Sequence, residues 1–118
     1  MKDSVWKIFV VYLLFLFLLF MNSNAFGQIN IVHCNATWNN KNKVTWLYKL
    51  SDVNKVKYID IAKYPDLQKK YEIVVVPTVI IFNDGEEIKR FQADISFSIK
   101  AKLEDIQEII DDILMESF

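Results

Sequence analysis

The sequence predicts an α/β domain of order β-α-β-α-β-β-α, a central mixed sheet flanked by helices, preceded by an N-terminal hydrophobic signal segment. Three observations predict it. Hydrophobicity is uneven: 19 of residues 1–27 are apolar, against 43 of the 91 that follow, so a greasy leader precedes a domain of ordinary composition. Short β-branched runs then alternate with stretches of helical spacing, which demands crossovers and a sheet with helices on its faces. Finally, Asn83-Asp84-Gly85-Glu86 has the composition of a tight hairpin turn. A length of 118 residues sets one domain as the ceiling, here residues 28–118 after a leader of 1–27.

The leader holds 14 uncharged apolar residues, Ile8–Met21, after Lys2 and Lys7 and before Asn22-Ser23-Asn24-Ala25-Phe26-Gly27. A positive start, an apolar run and a short small or polar stretch make a secretory signal peptide. Ser23/Ala25 and Ala25/Gly27 both place small residues at −3 and −1, and the second leaves Gln28 at the new N-terminus. Fourteen helical residues span about 21 Å, short of a hydrocarbon core of ~30 Å. Extension back through Val5 and Trp6 and forward to Ala25, with Lys7 snorkelling, makes an uncleaved anchor the alternative. Either way the domain is expected to be exported, periplasmic or secreted, with membrane contact only where the leader is retained.

Within the domain, Ile29–Cys34 is short and β-branched, hence a buried strand. After Thr37 a helix is expected, with Trp46, Leu47 and Leu50 on one side and Thr37 or a nearby Asn as cap. Val56–Ile61 alternates as a second strand. Pro65 opens a helix with Asp66 in its first turn, where the dipole favours a carboxylate. Ile73–Val76 and Val79–Phe82 flank Pro77 and resemble a strand buried on both faces. The hairpin turn leads into Glu87–Gln92. A last helix over Ile99–Met115 carries apolar residues at 99, 103, 106, 110 and 113. On these bounds Lys100 and Lys102 fall in its first turns. Glu104, Asp105, Glu108, Asp111, Asp112 and Glu116 fill the rest, both against the macrodipole.

Charge and cysteine content narrow the function. Fourteen Lys and Arg against 15 Asp and Glu leave a net −1, without the cationic surplus that phosphate binding needs, so no nucleic-acid partner is expected. One cysteine excludes an intramolecular disulfide and a cysteine-rich zinc site, and no metal or cofactor is expected.

Three segments resemble the thioredoxin fold family over nearly all of Gln28–Met115. Ile31–Trp38 (IVHCNATW) is similar to the strand and loop leading into the active site. Tyr58–Thr78 matches a strand-Asp, helix, Lys-Tyr-x-Ile and Val-Pro-Thr run, and Asp84–Asp94 resembles the hairpin Asp-Gly-x-Glu-x-x-Arg-Phe-x-Gly. The resemblance implies a cis Val76–Pro77 bond. It also implies a redox Cys-x-x-Cys where this chain has Asn39-Asn40-Lys41-Asn42. Disulfide exchange needs a thiolate and a resolving thiol; asparagine supplies neither. The family's glycine after the hairpin is Ala93, and the stretch between Asn42 and Asp60 is several residues shorter than usual.

Three expectations about function follow. The first is a redox-inactive thioredoxin-like domain that binds a protein or peptide, through a groove of Trp38, Asn39, Val76, Pro77 and Thr78 or through the acidic last helix. The second is a divergent thiol oxidoreductase acting through Cys34, and the third a membrane-tethered accessory subunit. Cys34 and His33 are neighbours on a strand and point to opposite faces, so they make no nucleophile pair. Cys34 is then a small buried hydrophobe or a reactive thiol. His33, at the position of the family's buried acid, is a hydrogen-bonded core residue or a proton carrier. Asn39–Lys43 at a helix start also offers N–H groups and lysines to an anion. Asn35-Ala36-Thr37 fits a glycosylation sequon but lies at the end of a buried strand, a poor acceptor position.

Overall fold

Alternation along β1 (Ile29–Asn35) sets the layering of the domain. Ile29 and Ile31 point to one face of the sheet, Val32 and Cys34 to the other, and all four are buried. The computed structural model describes residues 2–22 and 27–117, and in the first stretch the side chains of 5–16. The sheet order is β2-β1-β3-β4. β2 (Lys55–Asp60) lies parallel to β1, whereas β3 (Thr78–Asn83) and β4 (Glu86–Gln92) continue the sheet antiparallel. It is the mixed sheet that the sequence predicts.

Each face has its own core. Ile29, Ile31, Val79 and Ile81 meet Val44, Leu47 and Leu50 and the Ile106, Ile110, Ile113 stripe of α3 (Leu103–Glu116). On the opposite face Val32, Cys34, Ile59 and Ile80 pack with Ile73 and Val76, and Leu67 of α2 (Pro65–Lys70) closes over them. Pro65 starts α2 and Asp66 sits in its first turn. The helix ends in a Schellman motif. Glu72 takes φ 52°, and the N–H groups of Ile73 and Glu72 donate to the carbonyls of Gln68 and Lys69. Arg90 of β4 donates to the carbonyls of Tyr71 and Glu72 and pairs with Glu87, tying the hairpin to that helix end. At the hairpin tip Asp84 and Gly85 both have positive φ, 52° and 83°, the type I′ geometry that matches strand twist. Asp84 also bonds Gln28 through both backbone and side chain, anchoring the domain's first residues.

The segments expected to form regular structure differ in three places. No α-helix follows Thr37. Two 3₁₀ turns, Thr37–Asn42 and Leu47–Lys49, stand there instead. Val44, Leu47 and Leu50 are all buried, but only Leu47 lies within a 3₁₀ turn; the other two reach the core from the extended backbone beside the turns. The expected cap is absent too, since the Thr37 hydroxyl donates to Asp60. Ile73–Val76 is a bent loop rather than a strand, because it follows directly on the helix cap and ends at Pro77, which has no N–H to give a ladder. α3 starts at Leu103, four residues later than expected. Lys102 is its N-cap residue and its N–H donates to Asp105 at 2.7 Å. Lys100 and Lys102 therefore precede the helix, and Glu104 and Asp105 favour its positive end. Only the late carboxylates oppose the dipole.

Ahead of the domain runs α1 (Lys2–Asn22), whose described apolar side chains, among them Trp6, Ile8, Val11, Leu14 and Phe15, are exposed on all sides. Among the described residues no helix is long and apolar enough to cross a membrane. The two expected cleavage positions depend on residues 23–26, which lie outside the described residues.

The layering predicts unequal responses to truncation. Ile110→Ala, in the fully buried stripe of α3, is expected to lower unfolding stability by about 2–5 kcal/mol. Ile95→Ala, at a side chain 99% exposed, should change it by no more than about 0.5 kcal/mol. Urea unfolding curves of the two variants check this.

Candidate functional site

Of the two positions at which the resemblance places a redox pair, the first, Asn39, is a buried amide and the second, Asn42, is a partly exposed one. Asn39 is 3% exposed, at the bend inside the Thr37–Asn42 turn, where its own φ and ψ (−110°, 22°) leave the helical region. A buried carboxamide must place two donors and an acceptor. Asn39 Nδ2 donates to Asn35 Oδ1 at 3.1 Å and to the Phe97 carbonyl at 3.0 Å, with a longer contact to the Val76 carbonyl at 3.4 Å. Its Oδ1 accepts from Asn42 Nδ2 at 2.8 Å, and its backbone carbonyl from Asn35 Nδ2 at 3.1 Å. One side chain thus joins the end of β1, the loop before β3 and the loop before α3. Asn40 and Lys41, by contrast, are exposed.

The five residues expected to line a peptide groove do come together, but only Trp38 faces solvent, at 65% exposure. Val76, Pro77 and Thr78 are buried, the Val76–Pro77 peptide bond is cis, and the Thr78 hydroxyl donates to the Val75 carbonyl at 2.6 Å. An added strand needs the backbone groups beside the proline, yet the Val76 carbonyl faces the Asn39 amide and the Pro77 carbonyl accepts from Ala93 N–H at 3.0 Å.

Phe97, which no sequence motif marks, stands beside Trp38 and Asn39 on the loop before α3. Its ring meets Trp38 edge-on, centroids 5.3 Å apart, while its carbonyl takes the Asn39 hydrogen bond. Phe97 adopts φ 59°, unusual for an aromatic residue, on a loop folded by Asp94, whose carboxylate accepts from the Ser96 N–H and hydroxyl. The Asp94-Ile95-Ser96 turn signal was present in the sequence; the partner it delivers lies 58 residues from Asn39.

His33 and Cys34 point to opposite faces, as strand geometry requires. Cys34 is fully buried, and burial pushes its thiol up to about 11, with Arg90 and Lys57 opposing more weakly. At neutral pH it is a thiol, not a nucleophilic thiolate. His33 is 1% exposed and its Nε2 accepts from the Val44 N–H at 3.1 Å, which fixes it neutral. Burial above all, with the nearby Lys43 charge, lowers its pKa to about 4. The sequon asparagine, Asn35, spends its amide on Asn39 and is itself buried. Among the described residues no group of His, Cys, Asp and Glu could hold a metal ion.

Two outcomes follow. Asn39→Ala strands acceptors on three segments and is expected to cost about 1–3 kcal/mol in urea unfolding, with faster amide exchange over residues 94–98. For His33 the unfolded chain binds the proton more tightly, so its contribution is complete above pH ~6.5 and is lost as pH falls toward 4. That contribution is on the order of 3 kcal/mol. Stability measured between pH 7 and 4 should therefore fall less steeply in His33→Gln than in the parent.

No family model matches the chain. Two curated Arabidopsis thaliana proteins, the chloroplastic thioredoxins Y1 and Y2, are each 46% identical to it over 43 residues, 36% of this chain. The match covers only about a quarter of their length, 25% and 26%. Among solved structures, a mutant thioredoxin from Halobacterium salinarum superposes with a TM-score of 0.56 at 19% identity, over 72% of this chain and 74% of that one. Thioredoxin 1 from Thermosipho africanus gives 0.55 at 21%, over 75% and 97%. A Nicotiana alata thioredoxin gives 0.53 at 21%, over 80% and 81%. Sheet order, flanking helices and these superpositions agree: the domain has the thioredoxin-like fold.

Proposed function

We propose that this chain is an exported, redox-inactive thioredoxin-like domain that binds a protein partner through the surface around Trp38. The observation that carries the reading is Asn39. Where exchange chemistry needs an accessible thiolate, this chain has an amide, buried and hydrogen-bonded to three segments. Cys34, the alternative nucleophile, is buried on β1 with a raised pKa, which argues against a divergent oxidoreductase.

The binding surface follows from the apolar side chains that these loops leave exposed. Trp38 and Phe97 form an aromatic pair, 65% and 43% exposed, and the loops that carry them and Pro77 also display Ile95 and Val74, 99% and 83% exposed. Apolar side chains held outward by rigid hydrogen-bonded loops suit an apolar segment of a protein partner. The charged leader start, the apolar run Ile8–Met21 and the exposed apolar sides of α1 support export, with the domain delivered periplasmic or secreted, or tethered where the leader stays.

Insulin reduction tests the chemistry. The parent chain should show none, and thiol labelling of Cys34 should require denaturant. Asn39 Oδ1 and Asn42 Nδ2 touch, so Asn39→Cys/Asn42→Cys brings two thiols within reach and is expected to form a disulfide. Turnover of insulin by the parent that survives Cys34→Ser would overturn the reading. For the surface, a photo-crosslinker at position 38 should give one discrete adduct in the source cell, and one at exposed Tyr48 none. Adducts arising instead from Glu108 would move the interface to the acidic face of α3.

A further inference from the structure

On the α3 side of the sheet, the turn Thr37–Asn42 and the following Lys43 arch over a cleft of about 320 Å³. Strand register lays out its floor. His33 pairs with Tyr58 and, two residues further, Asn35 with Asp60. The two rungs stand about 7 Å apart along the strands, with all four side chains on one face. The turn then runs back across both rungs. It begins at Thr37, whose hydroxyl bonds the Asp60 carboxylate, and ends with Lys43 Nζ 4.8 Å from the centre of the Tyr58 ring.

Opposite charges therefore occupy the two ends of one cleft without neutralising each other. Neither Lys43 nor Asp60 forms an ion pair among the described residues. Asp60 accepts from Thr37 and from the Ala62 N–H, which fixes its orientation and leaves lone pairs over. Tyr58 and Asn40 add a hydroxyl and an amide that make no hydrogen bond among the described residues, and both line the cleft. His33, held neutral by the Val44 N–H, contributes a wall without charge. An anion alone meets Asp60, and a cation alone meets Lys43; a molecule bearing both charges satisfies each end.

We propose that the cleft binds a small zwitterion, one carboxylate and one ammonium group separated by a few methylenes, the carboxylate on Lys43 and the ammonium on Asp60. The Tyr58 hydroxyl and the Asn40 amide supply neutral hydrogen bonds beside them. The proposal does not depend on the Trp38 surface, which faces Phe97 and the proline loop.

The test titrates the full-length chain, in detergent micelles, with glycine, β-alanine and 4-aminobutyrate, and with butyrate and butylamine as single-charge controls at equal ionic strength. Calorimetry and the amide resonances of Lys43 and Asp60, which line the cleft, report binding. A saturable response to one of the zwitterions, at least roughly tenfold tighter than to either control, is expected. Lys43→Met and Asp60→Asn should each weaken it roughly tenfold or more. Lys43 is exposed, so its variant should keep the parent's urea midpoint and remain informative if Asp60→Asn unfolds. Absence of saturation at millimolar concentrations, equal binding of butyrate, or indifference to Lys43→Met would each overturn the proposal.

Discussion

A buried carboxamide has two donors and an acceptor to satisfy, and in this domain the meeting of three loops is arranged around that requirement. Asn39 reaches Asn35 at the end of β1, Val76 before β3 and Phe97 before α3, and takes a hydrogen bond from Asn42 in its own turn. The first three lie on segments far apart in the chain, so the side chain fixes loops that the sheet by itself leaves unconstrained. A thiol at the same place offers one weak donor and one weak acceptor. The amide therefore suits the position to holding loops together.

Those strands impose a second constraint, that adjacent residues serve opposite layers. On β1, Cys34 belongs to the α2 core, while His33 supports the turn on the α3 side. Burial drives both toward their neutral forms, the thiol by raising its pKa and the imidazole by lowering it. The interior below the turn is thus uncharged near neutral pH. The charges of Lys43 and Asp60 stand at the rim, where solvent or a ligand can meet them.

Much of the fold was legible because its signals are local. Asn83-Asp84-Gly85-Glu86 specified the hairpin through residues that tolerate positive φ, and Pro65 specified a helix start. Short apolar runs at Ile29–Cys34 and Val79–Phe82 marked the buried strands that supply both faces of the core. Misread segments were those whose apolar spacing fits more than one conformation. Trp46, Leu47 and Leu50 fit a helical spacing, yet in the fold they belong to one short 3₁₀ turn and the backbone on either side of it. Ile73–Val76 is apolar enough for a strand but has no free ladder position between a helix cap and a proline.

For the candidate site the division is sharper. Residue types alone establish that one cysteine serves the whole chain and that positions 39 and 42 hold asparagines, because covalent chemistry depends on which atoms are present. Which side chains remain accessible is a property of contacts between segments far apart in sequence, and no local pattern carries it. A separation of 58 positions hides the hydrogen bond that joins Asn39 to Phe97. The register of β1 against β2 likewise sets Tyr58 and Asp60 along one cleft, and the turn after β1 brings Lys43 over the Tyr58 ring. Hydrogen bonding and burial act over ångströms in space, so only the folded chain brings those partners within their range.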